Sequence, residues 1–288
     1  MPLEDVQVRV MADADTDGVF AVCRSVLFDV ISPEDEAAAV ARFRGRSHHL
    51  LTTDPGGSWV AERDGEIAGI AMSLVREGVW GLSLFAVAAD LQGRGVGRAL
   101  LDAALRHGEM AGAHGWIIMS TAHPGAIRRY ASAGFDLHPG VDAAGVPDLR
   151  RAPDGAAIAV DAGAGGIAVA DEIWREVRGA GMGRDIPQAL AAGGRLLLVE
   201  DRAAVIARGA QVWALAARDD EAAALALWAA LTTAPAGATA SVDCITGAQQ
   251  WALRVCVDAR LDLTPHGPLL TRGRLGPLTP YLPSGAYL

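Results

Sequence analysis

The chain has 288 residues, 51% of them hydrophobic and 20% charged, which fits one or two globular domains with cores that need no disulfide staples. A formal net charge of −9 argues against a nucleic-acid partner, because such a protein needs a basic face to displace counterions. The chain contains no lysine, so lysine Schiff-base chemistry and the lysine of a phosphate-binding P-loop are excluded.

In chain order, Val6 to Met11 alternates as a first strand, and Asp13 is placed to cap an amphipathic helix running to about Phe28. Ser32-Pro33-Glu34-Asp35 has the composition of a helix start, a capping serine followed by proline and acids, and that second helix is expected to end near Arg44. Ser58–Glu62 and Ile67–Val75 read as strands joined by the hairpin turn Asp64-Gly65. Val79–Ala88 is a long apolar strand. Gly97–Ala113 follows as a helix with Leu100, Leu101, Ala104 and Leu105 on one face, then a strand at Trp116–Ser120. Pro124–Ala133 is a short helix closed by Gly134, and Phe135–His138 a strand.

From Gly140 to about Gly166 the chain is rich in Ala, Gly, Pro and Asp without periodicity, which suggests a domain boundary. The expected division is a first domain over 1–145, a linker over 146–165 and a second domain over 166–288. In the second half helices are predicted near Ala170–Arg178, after Asp185, over Asp220–Leu231 and over Ala248–Val257. Strands are predicted at Leu196–Val199, Ala203–Ala207, Val212–Ala216 and up to Ile245, ahead of a proline-rich tail.

This half repeats the first. Ile127–Leu137 lines up with Leu253–Leu263, and Val79-Trp80-Gly81-Leu82 with Val212-Trp213-Ala214-Leu215. That alignment makes Trp80 and Trp213 equivalent core residues. The matching stretch in the second half lacks a glycine-rich loop.

Cys23, Cys244 and Cys256 show no CxxC spacing, so neither a metal site nor a disulfide framework is expected, and they suit a reducing compartment. The N-terminus has no signal-peptide pattern, and the longest apolar stretch, Ala203–Thr232, is broken by Arg208, Arg218, Asp219, Asp220 and Glu221. The expectation is a cytoplasmic protein with no membrane partner.

The chemistry concentrates in Gln92-Gly93-Arg94-Gly95-Val96-Gly97, between a buried strand and a long helix. Glycines there permit positive φ and let amides approach a ligand, while a helix start adds unpaired N–H groups and the positive dipole end. A diphosphate is the natural occupant, although such turns also occur without a ligand. The dinucleotide fingerprint fails, since Leu100 or Arg98 stands where its third glycine belongs and no acid follows on Trp116–Ser120. The P-loop fails for want of Gly-Lys-Ser/Thr. Arg94 and Arg98 are placed to flank phosphates, with an ordinary surface role as the competing reading.

The run Leu84-Phe85-Ala86-Val87, then Gln92-x-x-Gly95-x-Gly97 and Arg98-Ala99-Leu100-Leu101, resembles the acyl-CoA signature of the GNAT superfamily of N-acetyltransferases. Ala126–Phe135 resembles the superfamily's other CoA-side motif, at the usual separation. The whole chain is similar to tandem two-domain members from high-GC bacteria, with an intact N-terminal copy and a degenerate C-terminal one. The resemblance implies an α/β fold of the α+β type: two tandem acetyltransferase-like domains, each a mixed, mostly antiparallel sheet flanked by helices. It also implies strands Val79–Ala88 and Trp116–Ser120 splaying to admit pantetheine. Acetyl-CoA is then the cosubstrate, and a small-molecule or peptide amine the acceptor.

The same resemblance implies roles for single residues. Cofactor binding falls to Phe85, Ala86, Val87, Gln92, Gly93, Arg94, Gly95, Val96, Gly97, Arg98 and Tyr130. Amides near Phe85–Val87 are expected to polarise the thioester carbonyl, and Tyr130 to protonate the departing sulfur. Many relatives carry a glutamate on the strand where this chain offers only Ser83. His123 stands where relatives often have asparagine and is a candidate proton relay, its alternative being a loop hydrogen bond. His48-His49, after the second helix, could face the acceptor or simply be solvated. In the second copy Cys256 replaces the tyrosine, and Asp219-Asp220-Glu221 would repel a diphosphate, so no CoA is expected there.

Overall fold

A computed structural model describes residues 5–27 and 33–288, and the chain divides into two units, Met1–His114 and Gly115–Leu288. The first unit comprises β1 (Gln7–Val10), α1 (Thr16–Val26), α2 (Pro33–Thr53), β2 (Ser58–Arg63), β3 (Glu66–Arg76), β4 (Val79–Val87) and α3 (Val96–Met110). Its sheet is an antiparallel meander in the order β1-β2-β3-β4. Asp64 and Gly65 take φ of 54° and 81°, the paired positive values a tight two-residue hairpin needs, and Glu77-Gly78 does the same between β3 and β4. Helix α3 turns Leu100, Leu101 and Ala104 into the core, and Trp80 Nε1 donates to Ala104 O at 3.1 Å.

The first unit departs from the sequence reading at its helices. Asp13 does not cap α1, because a 3-10 turn, Asp13–Asp15, intervenes. The carboxylate closing that turn is Asp15, which accepts from Ala12 N at 2.7 Å and pairs with Arg9. The expected end at Phe28 and the capping Ser32 lie outside the described residues. Helix α2 runs past Arg44 to Thr53, since Phe43, Ser47 and Leu50 continue a buried stripe through Gly45. His48 and His49 are therefore on the helix, with His48 exposed 3.6 Å from Asp13.

The second unit runs β5 (Gly115–Met119), α4 (Pro124–Ser132), β6 (Asp136–Gly145), β7 (Val160–Asp161), α5 (Ile167–Arg178), α6 (Ile186–Ala191), β8 (Arg195–Val199) and β9 (Ala203–Arg208). It continues with β10 (Gln211–Ala217), α7 (Asp220–Thr232), β11 (Ala240–Thr246), α8 (Gln250–Asp258), β12 (Asp262–Gly273) and β13 (Tyr281–Leu282). Its mixed sheet has the order β5-β12-β6-β11-β10-β9-β8-β7, with β13 also on β10; only β10 and β11 are parallel. In α5, Ala170, Ile173, Trp174 and Val177 form the buried stripe.

Two strands of this unit exceed their sequence expectation. The stretch after His138 is not loop: β6 continues to Gly145, with β12 on one side and β11 on the other. The predicted proline-rich tail contains β12, a central strand that includes Pro265 and Pro268. Proline lacks a ladder donor, but β12 meets β5 only from Leu269 onward, so up to Pro268 it has one strand neighbour and tolerates proline as an edge does. The two strand–helix–strand runs interleave. β6 follows β5 and α4 yet lies against β11, and β12 follows β11 and α8 yet lies against β5.

The fold is thus mixed α/β, with helices flanking mixed sheets. Among the described residues no helix is long and apolar enough to cross a membrane, and no group of three or more His, Cys, Asp or Glu could hold a metal ion. All three cysteines are buried and free.

Candidate functional site

The predicted site residues divide between the units, Ser83 to Arg98 in the first, His123 and Tyr130 in the second. In the first, β4 delivers the chain to the turn through a β-bulge. Met72 pairs with Leu84 and Ser73 with Leu82, so Ser83 is the extra residue. Ser83 is 4% exposed, and its hydroxyl has no hydrogen-bond partner. A buried orphan hydroxyl is costly, and one at a bulge is where functional strands are commonly re-aimed.

Beyond β4, Gln92 Nε2 reaches back to donate to Val87 O at 3.0 Å and ties the turn to the strand end. Gly93 and Gly95 take φ of 76° and 93°, and a Cβ on either would meet nothing within 4 Å. Their requirement is conformational, and the space beside them is open. Gly97 is glycine for a different reason: a Cβ there would stand 3.3 Å from Phe85 Cζ and 3.5 Å from Val87 Cγ2. Phe85, Val87, Gln92 and Gly97 are thereby brought together, while Ala86 is buried opposite Ile70.

Helix α3 starts at Gly95 with no side-chain cap and no acid in its first turn. Helical geometry leaves the N–H groups of Val96, Gly97 and Arg98 without intrahelical acceptors, at the positive end of a 15-residue helix. Arg94 and Arg98 are both exposed; Arg98 lies 3.8 Å from Asp102 one turn on. Uncapped amides, open space and two nearby guanidinium groups are the chemistry that an anion would require of this turn.

The second unit holds a helix start of opposite character. Asp219 caps α7 by accepting from Ala222 N at 2.9 Å, with Asp220 and Glu221 in the first turn. Arg202 pairs with Asp219 at 2.7 Å and Glu221 at 2.8 Å. These amides and charges are already engaged. The strand before it, β10, is bulged at Trp213, four residues before the strand end, as Ser83 is in β4. The bulges therefore match Trp213 with Ser83 and correct the expected match with Trp80. Trp80 is buried, whereas Trp213 is partly exposed and packs edge-on to Tyr287. β10 pairs with β11 only at Gln211 and Val212, and at Leu215 and Ala216 it pairs with β13 instead. The chain's own strand thus takes the edge where β10 and β11 part.

Tyr130 lies on the inner face of α4, 3% exposed, and burial raises its phenol above the ordinary value. It stays protonated across physiological pH. His123 is the N-cap of α4, its Nδ1 accepting from Ala126 N at 3.3 Å. That hydrogen bond is the loop role the sequence reading held as its alternative. Cys256, at the tyrosine's counterpart, is buried in α8.

The sequence reading missed a polar group formed by Asp142 of β6, Asp243 of β11, His266 of β12 and Gln211 of β10. Its members are far apart in the chain and meet only through strand interleaving, so no motif could have signalled them.

These features define an α/β protein with an uncapped, glycine-shaped strand-to-helix turn. Residues 25–135 match the model of the acetyltransferase (GNAT) family. The solved structure of a Pyrococcus horikoshii protein assigned as an acetyltransferase has a TM-score of 0.79 at 15% identity, covering 100% of this chain and 98% of its own. A GCN5-related N-acetyltransferase from Kribbella flavida gives 0.57 at 19% identity, covering 93% of this chain and 72% of its own. Identities this low show the fold alone. No curated protein matches the sequence.

Proposed function

We propose that the protein is an N-acetyltransferase that moves an acetyl group from acetyl-CoA to a primary amine of a small molecule or peptide by direct attack. The observation that carries the reading is the uncapped start of α3, with Gly93 and Gly95 at positive φ beside open space. In this reading the amides of Gly93 to Arg98 hold the diphosphate, with Arg94 and Arg98 adding charge. Phe85 to Val87 align the pantetheine and thioester, and Tyr130 gives its proton to the leaving sulfur. Bringing amine and thioester together supplies much of the rate by removing their relative freedom.

The second half is a degenerate copy in this reading, spanning 166–288 after a linker at 146–165, and binds no CoA. The engaged acids at α7 and the strand β13 on β10 support it. A second reading, a non-catalytic acyl-CoA-binding module, is favoured by β4 carrying only Ser83 where a base is wanted.

The test is calorimetry with acetyl-CoA followed by thiol release with a panel of amines. Binding with amine-dependent thiol release, lost in Tyr130→Phe, supports the enzyme. Tight binding with no transfer supports the module. No binding defeats both.

A further inference from the structure

One face of the sheet in the second unit gathers acidic and aromatic side chains from three adjacent strands. Val212 of β10, Val242 of β11 and Ala143 of β6 point into the hydrophobic core. Strand side chains alternate between faces, so Trp213, Asp243 and Asp142 project from the opposite one. β10 and β11 pair through Gln211–Ser241 and Val212–Val242, which makes Trp213 and Asp243 the next residues along the two strands. β11 pairs with β6 through Val242–Ala143 and Ile245–Val141, so Asp243 and Cys244 form a bulge opposite Asp142. Two carboxylates and a partly exposed indole thereby come together.

The carboxylates have few donors of their own. Asp142 Oδ1 accepts from Cys244 N at 2.8 Å and stands 3.7 Å from His266 Nδ1. Asp243 Oδ2 accepts from Gln211 Nε2 at 3.3 Å. Burial and the neighbouring Asp142 raise the Asp243 carboxyl above the usual range, as two like charges held close do. Asp142 keeps 26% of its side-chain surface, so a ligand can reach it.

A separate group points to the same place. Tyr281 is 1% exposed, and its hydroxyl has no hydrogen-bond partner. It lies within electrostatic reach of Cys244, whose thiol is in turn within reach of both aspartates. It shares the face of Trp213: that indole packs on Tyr287, Tyr287 O accepts from Arg178 at 2.9 Å, and Arg178 also acts on the Tyr281 hydroxyl. An orphaned hydroxyl this deep is costly, and its aim at the bulge points to a polar ligand beside the carboxylates.

We infer that this face of the second unit binds an organic ammonium ion, whose N–H groups donate to Asp142 and Asp243 and whose carbon body lies against Trp213. Beyond the bonds above, each carboxylate keeps one oxygen, Asp142 Oδ2 and Asp243 Oδ1, for an N–H donor. An aromatic ring attracts a cation that has shed water. A metal ion fits less well, since among the described residues no group of three or more His, Cys, Asp or Glu could hold one. Every residue of the site belongs to the second unit, so the inference stands apart from acetyl transfer.

The experiment titrates the full chain, labelled with nitrogen-15 at tryptophan, with butylammonium chloride and with 1-butanol at pH 7.5. The indole N–H signal of Trp213, assigned from Trp213→Phe, reports binding. Butylammonium is expected to shift that signal saturably, and 1-butanol, similar in shape but uncharged, to bind about tenfold or more weakly. Asp243→Asn and Asp142→Asn are each expected to raise the Kd for butylammonium about 10- to 100-fold, the worth of a charge-assisted hydrogen bond. Neither should lower the melting temperature, because repulsion between the two carboxylates is relieved. Asp220→Asn, at an exposed acid on α7, should leave the Kd unchanged. No saturable shift, equal affinity for 1-butanol, or folded Asp243→Asn and Asp142→Asn chains that bind like the wild type overturn the inference. So does an equal loss in Asp220→Asn, which would mark a general attraction to an acidic surface.

Discussion

The proposed diphosphate site makes opposite demands on stability and binding at residue 95, and two substitutions separate them. Gly95 holds φ at 93° with nothing near its missing Cβ, so Gly95→Ala meets no steric obstacle and costs only backbone strain, about 1–2 kcal/mol. Gly95→Asp carries a side chain that tolerates the left-handed region better, and it puts a carboxylate at the start of α3, where the dipole returns about 0.3–1 kcal/mol. The aspartate variant should therefore be the more stable of the two. For binding the order reverses. Two diphosphate charges about 5 Å from that carboxylate repel it by roughly 1.7 kcal/mol in water, and by roughly 6.6 kcal/mol at an effective dielectric of 20. Salt at 0.15 M about halves either figure. At tenfold per 1.4 kcal/mol, the Kd for acetyl-CoA should rise from about fourfold to a few hundredfold above that of the alanine variant. Thermal melts and calorimetry on the same samples give both orders. If the folded aspartate variant binds acetyl-CoA as tightly as the alanine variant, no diphosphate lies at α3.

Calorimetry on the wild type should give one acetyl-CoA per chain, since α7 holds its own acids and arginine where α3 is open; two equivalents would refute the degenerate reading of the second half. Tyr130→Phe should lower kcat about 10²- to 10⁴-fold with little change in KM for acetyl-CoA, as a lost general acid does. Burial pushes Cys23, Cys244 and Cys256 from 9.0 up to about 12, so the fold favours the neutral thiol. That stability is complete below about pH 9 and is lost as pH climbs towards 12, about 1.4 kcal/mol per thiol by pH 10, which denaturant midpoints at pH 8 and 10 will show. Truncation after residue 145 removes β11 and β12, the two strand neighbours of β6, and should yield an aggregating fragment by gel filtration; a monomeric fragment with cooperative melting would contradict the pairing.

What the sequence disclosed was local. The Asp64-Gly65 hairpin, the long apolar β4, the glycines before α3 and the proline-led α4 each carry their signal within a few residues, and each stands where it was expected. What it concealed was non-local. β6 beyond His138 has strand partners on both sides but no apolar alternation, since Gly140, Asp142 and Gly145 are chosen for backbone approach and a hydrogen bond to Cys244 rather than for burial. Pro265 and Pro268 argued against a strand until the neighbours of β12 were known. Trp80 and Trp213 looked equivalent because a four-residue run aligned them, whereas the bulges set Trp213 against Ser83, three residues further on. His266 and Asp142 carried no motif at all.

Offset by the 126 residues that separate Ile127 from Leu253, Gly140 corresponds to His266, and these two residues are register partners across β6 and β12. If the halves are copies, as proposed, this is where each would meet its own counterpart, and nothing in such a pairing asks for an imidazole on one side alone. His266 nevertheless lies 3.7 Å from Asp142 and is followed by a glycine that admits no side chain. That asymmetry runs in the same sense as the uncapped start of α3 against the capped start of α7, and a duplication in which one copy diverged accounts for both.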